Sequence, residues 1–254
     1  MSFAHYPTLR DRVVLVTGGA SGIGSDIVRA FVGQEARVAF LDVQAEAGQA
    51  LVADLAGGRH KPLFLRCDMA DIAALRAAIA TVGERLGPIA VLVNNAANDQ
   101  RTDIDAVTPD EWDVSQAINL RPQFFAAQAV HAQMKALGHG SIVNFSSIVW
   151  RFGAANMAPY ATAKAAIHGL TKSLARAYGP DNIRVNAVEP GAVMTPRQRA
   201  LWYPDEASVN AMVERQCLKH VLDGAEVARL VLFLAADDSR MITKQSFVVD
   251  AGMS

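Results

Sequence analysis

The sequence has few cysteines, no long apolar run and no excess of charge of either sign. Cys67 and Cys217 lie far apart with no clustered histidines nearby, so neither a disulfide framework nor a metal site is expected. The 24 basic and 25 acidic residues nearly cancel, and no run of five like charges occurs. This balance argues against nucleic acid or an anionic membrane as a partner and favours a small neutral or weakly charged ligand.

Signals for export or membrane insertion are also missing. Residues 1–12 contain neither the basic region nor the apolar region of a secretory signal. Every later apolar run falls well short of the roughly 20 residues that a membrane-spanning helix needs. Because the two separated cysteines suit a reducing compartment, a cytoplasmic protein is expected.

Short β-branched apolar runs alternate with longer segments of helical periodicity. Their lack of in-and-out alternation indicates strands buried on both faces, with the intervening helices as crossovers. No linker divides the chain, so the sequence predicts one α/β domain over 1–254: a doubly wound, Rossmann-type domain whose seven-stranded parallel sheet carries about six helices on its two faces. The segment 191–219 departs from the alternation and is expected to form a substrate-binding excursion. The predicted strands are Val13–Val16, Val38–Leu41, Leu63–Leu65, Ala90–Val93, Ile142–Phe145, Ile183–Val188 and Phe247–Val249.

A glycine-rich turn, Thr17–Gly24, follows the first strand and opens the first helix. Its glycines permit a tight turn, and the free N–H groups of the helix attract a pyrophosphate. Asp42 ends the second strand, where a carboxylate can bind both ribose hydroxyls of a dinucleotide. This carboxylate would repel a 2′-phosphate and Val43 adds no cation, so NAD is preferred to NADP. Asp68 ends the third strand and is expected either to meet the adenine edge or to cap the following helix.

Tyr160 and Lys164 lie four residues apart in a segment, Pro159–Tyr178, that is predicted to be helical, so both side chains share one face. A free tyrosine with a pKa of about 10 is a poor base at neutral pH, but a nearby ammonium stabilises the phenolate. Lowering that pKa by about three units requires roughly 4 kcal/mol, more than an exposed pair provides, so the pair is expected to be partly desolvated. Ser147 ends a strand and should reach the same crevice at the carboxyl edge of the sheet.

The whole set of motifs resembles the short-chain dehydrogenase/reductase family, and the resemblance covers essentially the full chain. It implies that Tyr160 exchanges the proton of the reaction while Lys164 lowers the tyrosine pKa and holds the nicotinamide ribose. It also implies that Ser147 binds the reacting oxygen, that Asn119 anchors a water relay and that hydride passes to the nicotinamide. The motifs in the family's order and spacing are Thr17–Gly24, Asn94–Ala97, Asn119, Ser147, Tyr160, Lys164 and Pro190–Gly191.

The same resemblance extends the cofactor contacts. It implies that Asn95 supports the central strands, that Ile23 lies by the phosphates, and that Val193 and Thr195 hold the carboxamide. Two departures from the family are Ala97, where glycine is usual, and a carboxylate, Glu189, before the Pro-Gly pair. The expected NAD contacts are Gly18, Ser21, Gly22, Ile23, Gly24, Asp42, Asp68, Met69, Asn95, Ala96, Tyr160, Lys164, Pro190, Gly191, Val193 and Thr195.

Self-assembly is expected as well. The helices predicted near Glu111–Leu137 and Pro159–Tyr178 are apolar on more than one face, which suggests burial against copies of the same chain. Members of the family are commonly tetrameric, so the resemblance implies a homotetramer.

The segments expected around the substrate are polar and aromatic, which favours a polyol over a steroid or an acyl chain. With Gln216–Lys219 they resemble bacterial sugar 1-dehydrogenases of the D-xylose type, which implies oxidation of an aldose C1 hydroxyl to a lactone. The expected substrate contacts are Asn98, Arg101, Ser147, Trp150, Arg151, Tyr160, Arg197 and Trp202.

Two alternatives remain open at this point. Four arginines near the crevice are offset only by Asp99, and an arginine fork matches a carboxylate, so the substrate of the first alternative is a sugar acid or deoxy-keto acid. The second is a module that binds a dinucleotide without turnover, although binding alone would not require Ser147, Tyr160 and Lys164. The four arginines are Arg101, Arg151, Arg197 and Arg199.

Overall fold

A computed structural model describes residues 4–254 of the chain. Over these residues seven strands form one sheet: β1 (Val13–Thr17), β2 (Arg37–Asp42), β3 (Leu63–Arg66), β4 (Ile89–Asn94), β5 (Gly140–Phe145), β6 (Ile183–Pro190) and β7 (Ser246–Val249). Their spatial order is β3-β2-β1-β4-β5-β6-β7, and every neighbouring pair is parallel. The predicted doubly wound α/β fold is confirmed.

Ten α-helices surround the sheet within the same described range: α1 (Gly22–Gly33), α2 (Ala45–Asp54), α3 (Ile72–Leu86), α4 (Pro109–Asn119), α5 (Arg121–Leu137), α6 (Val149–Phe152), α7 (Ala158–Tyr178), α8 (Pro196–Leu201), α9 (Glu206–Glu214) and α10 (Gly224–Ala235). The sequence predicts fewer because α6, α8 and α9 are too short to show periodicity. Among the described helices, none combines the length and apolar character needed to cross a bilayer.

The core lies on both faces of the sheet. Val14 and Val16 of β1 face the layer that contains α1 and α10, whereas Val13 and Leu15 face the layer that contains α3 and α5. A strand covered on both faces has no solvent side, which explains the unbroken apolar sequence of β1.

The prediction of one long helix near Glu111–Leu137 is wrong. The chain breaks at Leu120, whose φ of −123° and ψ of −58° separate α4 from α5, and Pro122 lies in the first turn of α5. A proline lacks the backbone N–H, and its ring clashes with the carbonyl four residues earlier, so α4 cannot continue through this position. The break places Asn119 at the end of α4, where its side chain is buried.

The strand order reverses between β1 and β4, since β1 leads outward to β2 while β4 leads to β5 on the other side. In an open parallel sheet such a switch point leaves a crevice at the carboxyl ends of the strands. The glycine-rich turn after β1, the loop after β4 and the serine after β5 all lie at this edge.

Candidate active site

The glycine-rich turn wraps closely around the end of β1. Gly22 has a φ of +53°, a left-handed conformation that favours glycine, and a Cβ at Gly24 would lie 1.9 Å from the carbonyl oxygen of Gly18. Ser21 precedes α1 without a side-chain cap for the helix N–H groups. The uncapped helix start and the glycines of the turn fit a dinucleotide pyrophosphate.

Asp42 fastens this turn to the end of β2. Its carboxylate is buried and accepts hydrogen bonds from the backbone N–H of Ala20 and of Gln44, both at 3.0 Å. Gln44 also donates from Nε2 to Ser21 Oγ at 3.0 Å. Because each carboxylate oxygen has two lone pairs, Asp42 keeps acceptor capacity for ribose hydroxyls.

A cation, Arg66, lies at this end of the sheet. The prediction of NAD from Asp42 and Val43 takes no account of it. Arg66 of β3 is the sheet partner of Asp42, and its Nε donates to the Val43 carbonyl at 3.4 Å. The pairing of β2 with β3, combined with the carboxyl-end rule, could have revealed it. The preference between NAD and NADP therefore depends on both residues: the Asp42 carboxylate would repel a 2′-phosphate, and the Arg66 cation would attract one.

The third strand end differs in part from expectation. Asp71, not Asp68, caps α3, accepting a hydrogen bond from Ala74 N at 3.0 Å. Asp68 instead accepts from Ala70 N at 2.9 Å in a turn. The helix-cap alternative for Asp68 is wrong, because Asp71 occupies the position adjoining the helix. The Met69 side chain is buried in the core.

Asn95 braces the two central strands. Its Nδ2 donates to the carbonyls of Thr17 and Gly18, at 3.1 and 2.9 Å. Ala96 N donates to Thr17 Oγ1 at 3.1 Å, and a Cβ at Gly18 would lie 2.7 Å from the Cα of Ala96. The loop after β4 therefore lies directly against the glycine-rich turn.

The segment after β6 forms the opposite wall. Gly191 N donates to the Val249 carbonyl at 2.9 Å, and the Val193 side chain is buried. Thr195 caps α8 by accepting from Gln198 N, and a Cβ at Gly22 would lie 3.2 Å from its Cγ2. Thus α8 starts beside the glycine-rich turn, and the predicted positions Pro190, Gly191, Val193 and Thr195 all lie near that turn or on the strand end that leads to it.

Ser147, Tyr160 and Lys164 come together at the crevice. Tyr160 and Lys164 project from the first turns of α7, and the Ser147 hydroxyl hydrogen-bonds the Tyr160 hydroxyl. Lys164 is 1% exposed; its Nζ donates to the Phe145 carbonyl at 2.9 Å and lies 5.4 Å from the Tyr160 ring centroid. The expected desolvation of the pair is present in the structure.

The ionisation of this pair differs from the expectation of a phenolate held by a cation. Burial raises the pKa of Tyr160, the Asp99 carboxylate adds to the rise, and the Ser147 hydrogen bond opposes it. Burial also lowers the pKa of Lys164 to about 7, against the attraction of Asp99. The protein's own groups therefore keep Tyr160 protonated at neutral pH, because desolvation and the charge of Asp99 outweigh the Ser147 hydrogen bond.

Asn119 anchors the loop after β4. Its Nδ2 donates to the carbonyls of Asn98 and Ser115, each at 3.0 Å, and its Oδ1 accepts from Asn98 N at 2.8 Å. The side chain thereby fixes the main chain immediately before Asp99. A sequence motif alone does not reveal this role, since it depends on the helix break at Leu120.

The loop 98–101 and α8 meet across the crevice. Asp99 accepts from Arg197 Nε at 3.2 Å and from Gln198 Nε2 at 2.6 Å, and Asn98 Oδ1 accepts from Arg197 Nη2 at 3.2 Å. The guanidinium of Arg101 lies 3.8 Å over the ring of Trp202. Arg101 Nε and Trp202 Nε1 are both buried and have no hydrogen-bond partner in the described part of the chain.

Trp150 and Arg151, which are expected to contact the substrate, both contact Glu189 instead. Arg151 donates from Nε and Nη2 to the two carboxylate oxygens of Glu189, at 2.8 and 3.0 Å, and Trp150 Nε1 donates to the same carboxylate at 3.0 Å. Glu189 has no exposed surface. A buried carboxylate requires such partners, so the fork of Arg151 is not free to anchor a substrate acid. Glu189, unexplained in the sequence, is the partner of both residues.

No cluster of histidine, cysteine, aspartate and glutamate among residues 4–254 could hold a metal ion. The site consists of hydroxyl, amine, amide and carboxylate groups beside the glycine-rich turn. Such a set can bind an alcohol oxygen, exchange its proton and hold a redox dinucleotide nearby.

Known proteins are similar to this chain in sequence and in fold. Residues 18–254 match the family profile described as "Enoyl-(Acyl carrier protein) reductase". The "Probable galactose dehydrogenase GalD" of Rhizobium meliloti (strain 1021) is 49% identical over 98% of each chain. The "D-xylose 1-dehydrogenase" of Caulobacter vibrioides (strain NA1000 / CB15N) is 44% identical over 99% of each chain. The crystal structure of a blue fluorescent protein from a metagenomic library, in complex with NADPH, gives a TM-score of 0.89 at 36% identity, covering 97% of this chain and 99% of that one.

Proposed function

The chain belongs to the short-chain dehydrogenase/reductase family, and from this premise we propose that it oxidises the C1 hydroxyl of a neutral aldose to the lactone, with NAD as the preferred cofactor. The protein is an oxidoreductase, and a nicotinamide dinucleotide supplies the acceptor for the hydride that leaves C1. The named activities of the galactose and D-xylose dehydrogenases support the choice of an aldose.

Our preference for a neutral sugar rests on the finding that most of the arginines near the crevice are paired with carboxylates of the protein itself. Arg151 is paired with Glu189 at 2.8 Å, Arg197 with Asp99 at 3.2 Å and Arg199 with Glu206 at 3.0 Å. Of the four arginines that favoured an acid substrate, only Arg101 has no carboxylate partner within the described residues, and it stacks on Trp202. With the excess of charge removed, the crevice suits hydroxyl groups better than a carboxylate.

The Arg101–Trp202 pair is proposed as the surface that recognises the sugar. Each side chain has a buried N–H donor without a partner, and leaving a buried donor unpaired costs about 1–3 kcal/mol. Hydroxyl oxygens of an aldose can accept from both donors while the stacked planes offer an apolar wall. The loop residue Asn98 adds amide groups beside them.

In the proposed reaction Ser147 donates a hydrogen bond to the C1 oxygen, and the ionised form of Tyr160 accepts the C1 hydroxyl proton. The C1–H bond breaks with its electron pair leaving as hydride, while the C1–O bond becomes the lactone carbonyl. The lone pair of the adjacent ring oxygen assists this departure. Lys164 stabilises the phenolate in its charged form, although burial lowers the pKa of that lysine to about 7.

This assignment predicts a rise of sugar oxidation with pH. Burial raises the pKa of Tyr160, so the fraction in the basic form, and with it kcat/KM for oxidation, should increase above neutrality. Tyr160→Phe should lower kcat by about 10²–10⁴-fold, because the general base is lost. Its affinity for the dinucleotide, measured by calorimetry, should stay within a few fold of the parent's.

The direct test is a substrate panel with NAD, followed by NADH absorbance and hydroxylamine trapping of the lactone. D-galactose, D-xylose and other aldoses should be oxidised; the corresponding aldonic acids and simple secondary alcohols should react poorly. Preference for an acid would restore the sugar-acid alternative. Silence with every compound, together with normal dinucleotide binding, would favour a non-catalytic module.

We also propose that the protein prefers NAD to NADP and that it forms a homotetramer. Asp42 supports NAD by its charge at the ribose end, while Arg66 and the NADPH in the similar crystal structure make the alternative worth testing. The reducing compartment inferred from the cysteines stays a prediction.

A further inference from the structure

The loop that carries Ser147 is fastened to β6 on both sides of the serine. The backbone N–H groups of the residues before and after Ser147 donate to the carbonyls of Val188 and Pro190, at 2.9 and 3.2 Å. The residue between these two carbonyls is Glu189, whose side chain has no exposed surface. These main-chain bonds fix where the serine lies, but they leave the direction of its hydroxyl to another contact.

That contact comes from α6. The Oγ of Ser147 accepts a hydrogen bond at 3.3 Å from the backbone N–H of Val149, the first residue of the helix. A serine hydroxyl has one proton and two lone pairs. Because the Val149 N–H occupies one lone pair, the proton points away from it and is available to the Tyr160 hydroxyl or to a substrate oxygen. The placement of α6 therefore decides which way the hydroxyl points.

The α6 helix has little structure of its own to keep it in place. It contains four residues, has no side-chain cap at its start and ends at Gly153. Such a length is far below what an isolated helix needs to be stable in water. Val149 is the one buried residue of the helix, whereas Phe152 is 49% exposed. Its position depends on what its two middle side chains contact.

Both middle side chains converge on the Glu189 carboxylate. Arg151 donates to its two oxygens at 2.8 and 3.0 Å, and Trp150 Nε1 donates at 3.0 Å. His168 of α7 closes the cluster, with its ring centroid 4.8 Å from that of Trp150 and its Nε2 3.7 Å from the carboxylate. A two-pronged contact between a guanidinium and a carboxylate restricts geometry as well as adding energy. Glu189 thus holds α6 in one orientation.

We propose that Glu189 is a positioning residue for the reaction, acting through α6 on the hydroxyl of Ser147. While the carboxylate holds Trp150 and Arg151, the Val149 N–H stays against the serine and the hydroxyl proton stays directed at the reacting oxygen. When that hold is lost, α6 shifts and the hydroxyl samples orientations that do not bind this oxygen. The inference rests on the proposed role of Ser147 as the group that binds the reacting oxygen.

Glu189→Gln tests the hold, because the amide has nearly the same shape as the carboxylate. It offers one acceptor oxygen in place of two and turns an NH₂ group toward the donors of Arg151, so the two-pronged contact is broken. Turnover is measured with NAD and the alcohol of the substrate panel that reacts best. We expect kcat to fall about tenfold, since misplacing a reacting group by about 1 Å can cost 10²-fold. The affinity for NAD, measured by calorimetry, should stay within about twofold of the parent's.

A double-variant cycle with Ser147→Ala separates positioning from a general loss of structure. Ser147→Ala removes the group on which Glu189 is proposed to act, so adding Glu189→Gln to it should change kcat by less than about twofold. A purely structural defect would lower kcat by the same factor in both backgrounds. Equal losses in the two backgrounds would therefore overturn the proposal, and so would an unchanged kcat in Glu189→Gln alone.

Trp150→Phe is a second and milder variant, which carries the test if Glu189→Gln folds poorly. It keeps an aromatic ring beside His168 and removes the Nε1 donor to Glu189. It should lower kcat by a few fold in the parent and leave kcat unchanged when Ser147 is already alanine. A loss that persists without the serine hydroxyl would contradict the proposal.

Glu206→Gln is the matched control, because it makes the same chemical change in an exposed ion pair, that of Glu206 with Arg199. It should leave kcat unchanged both in the parent and in Ser147→Ala. A loss as large as that of Glu189→Gln would show that the effect is not specific to the buried carboxylate.

Hydrogen exchange of the α6 amides gives a readout that does not depend on turnover. Glu189→Gln should accelerate exchange over 149–153, whereas Glu206→Gln should not. Unchanged exchange in Glu189→Gln would refute the hold on α6 even in a protein that oxidises aldoses. If exchange is faster and the cycle with Ser147→Ala holds on a sugar acid or a simple alcohol, while no aldose reacts, the positioning role is supported and only the proposed function is refuted.

Discussion

At the scale of one residue, burial of the Lys164 ammonium in the site lowers the free energy of unfolding. Its ammonium is buried at 1% exposure, and burial lowers its pKa from 10.5 to about 7. Between these two values the unfolded chain binds a proton that the folded chain has released. The contribution of Lys164 to stability therefore improves as the pH rises through that window, and its cost is fully present below about pH 7.

Lys164→Met should consequently be more stable than the parent in mild acid, by about 1–3 kcal/mol, with a difference that shrinks toward pH 10. The lost hydrogen bond to the Phe145 carbonyl limits the gain, although Gln123 still donates to that carbonyl at 3.1 Å. Urea unfolding at a series of pH values measures the difference. Lys172→Met, on an exposed position of α7, serves as control and should show no such pH dependence. A variant that is less stable than the parent at low pH would contradict the assignment.

At the same scale, the proposed preference for NAD depends on the charge of Asp42. Replacing it by Asn removes the charge but retains an acceptor for the glycine-rich turn, so folding of the turn should survive. The ratio of kcat/KM for NADP to that for NAD should rise about tenfold or more, because a 2′-phosphate is no longer repelled and Arg66 is close.

Arg66→Gln in the Asp42→Asn background should reverse much of that gain, since the remaining cation is then absent. Measuring both cofactors at saturating sugar separates the two residues. An unchanged ratio in Asp42→Asn would show that the ribose end is recognised elsewhere.

At the scale of elements, an ion pair with a buried carboxylate holds α6 against β6. Arg151 and Trp150 both come from α6 and donate to Glu189, which lies near the carboxyl end of β6. The short α6 follows Ser147 directly, so this contact also holds the serine loop. Fixing a four-residue helix in this way requires more than its own backbone hydrogen bonds.

Arg151→Ala should lower the free energy of unfolding by about 2–4 kcal/mol, because it leaves the buried Glu189 charge with fewer partners. Adding Glu189→Gln should recover part of the loss, since a neutral amide is cheaper to bury. Arg199→Ala, which removes a largely exposed pair, should cost less than about 1 kcal/mol. Urea unfolding measures these losses. Equal losses in Arg151→Ala and Arg199→Ala would show that burial of the Glu189 carboxylate adds nothing to the stability of its ion pair.

The elements could be predicted from sequence wherever burial on both faces left a clear pattern. The seven strands lie within a few residues of their predicted bounds because their apolar runs have sharp ends. The break at Leu120 was hidden by continuous apolar periodicity around Pro122, and α8 and α9 are too short to be seen. Ser147, Tyr160 and Lys164 could be placed together by the carboxyl-end rule. The Arg151–Glu189 pair joins residues 38 positions apart, and no sequence pattern predicts such a contact.

At the scale of the whole molecule, the exposed face of α7 suggests contact with another copy. Its solvent side presents a helical stripe of small residues, Thr162, Ala166, Gly169 and Ser173. Glycine inside a helix costs about 1 kcal/mol relative to alanine, and a Cβ at Gly169 would meet open space within this chain. The neighbouring helices α4 and α5 expose Trp112 and Phe124 at 39% and 40%. Small residues on an exposed helix face, together with exposed aromatic residues on nearby helices, are suited to packing between subunits.

Ala166→Arg should therefore split the proposed homotetramer into smaller species. In an isolated chain the exposed arginine has no neighbour to disturb, but across a two-fold interface it meets its own copy and the charge is buried. Ala53→Arg, on the exposed face of α2, is the control and should leave the assembly unchanged. Size-exclusion chromatography with light scattering gives the masses, and circular dichroism checks that both variants fold. If Ala166→Arg is still a tetramer, the interface lies elsewhere. If the parent protein is itself a monomer, self-association is refuted, and the exposed Trp112 and Phe124 do not serve an interface between copies.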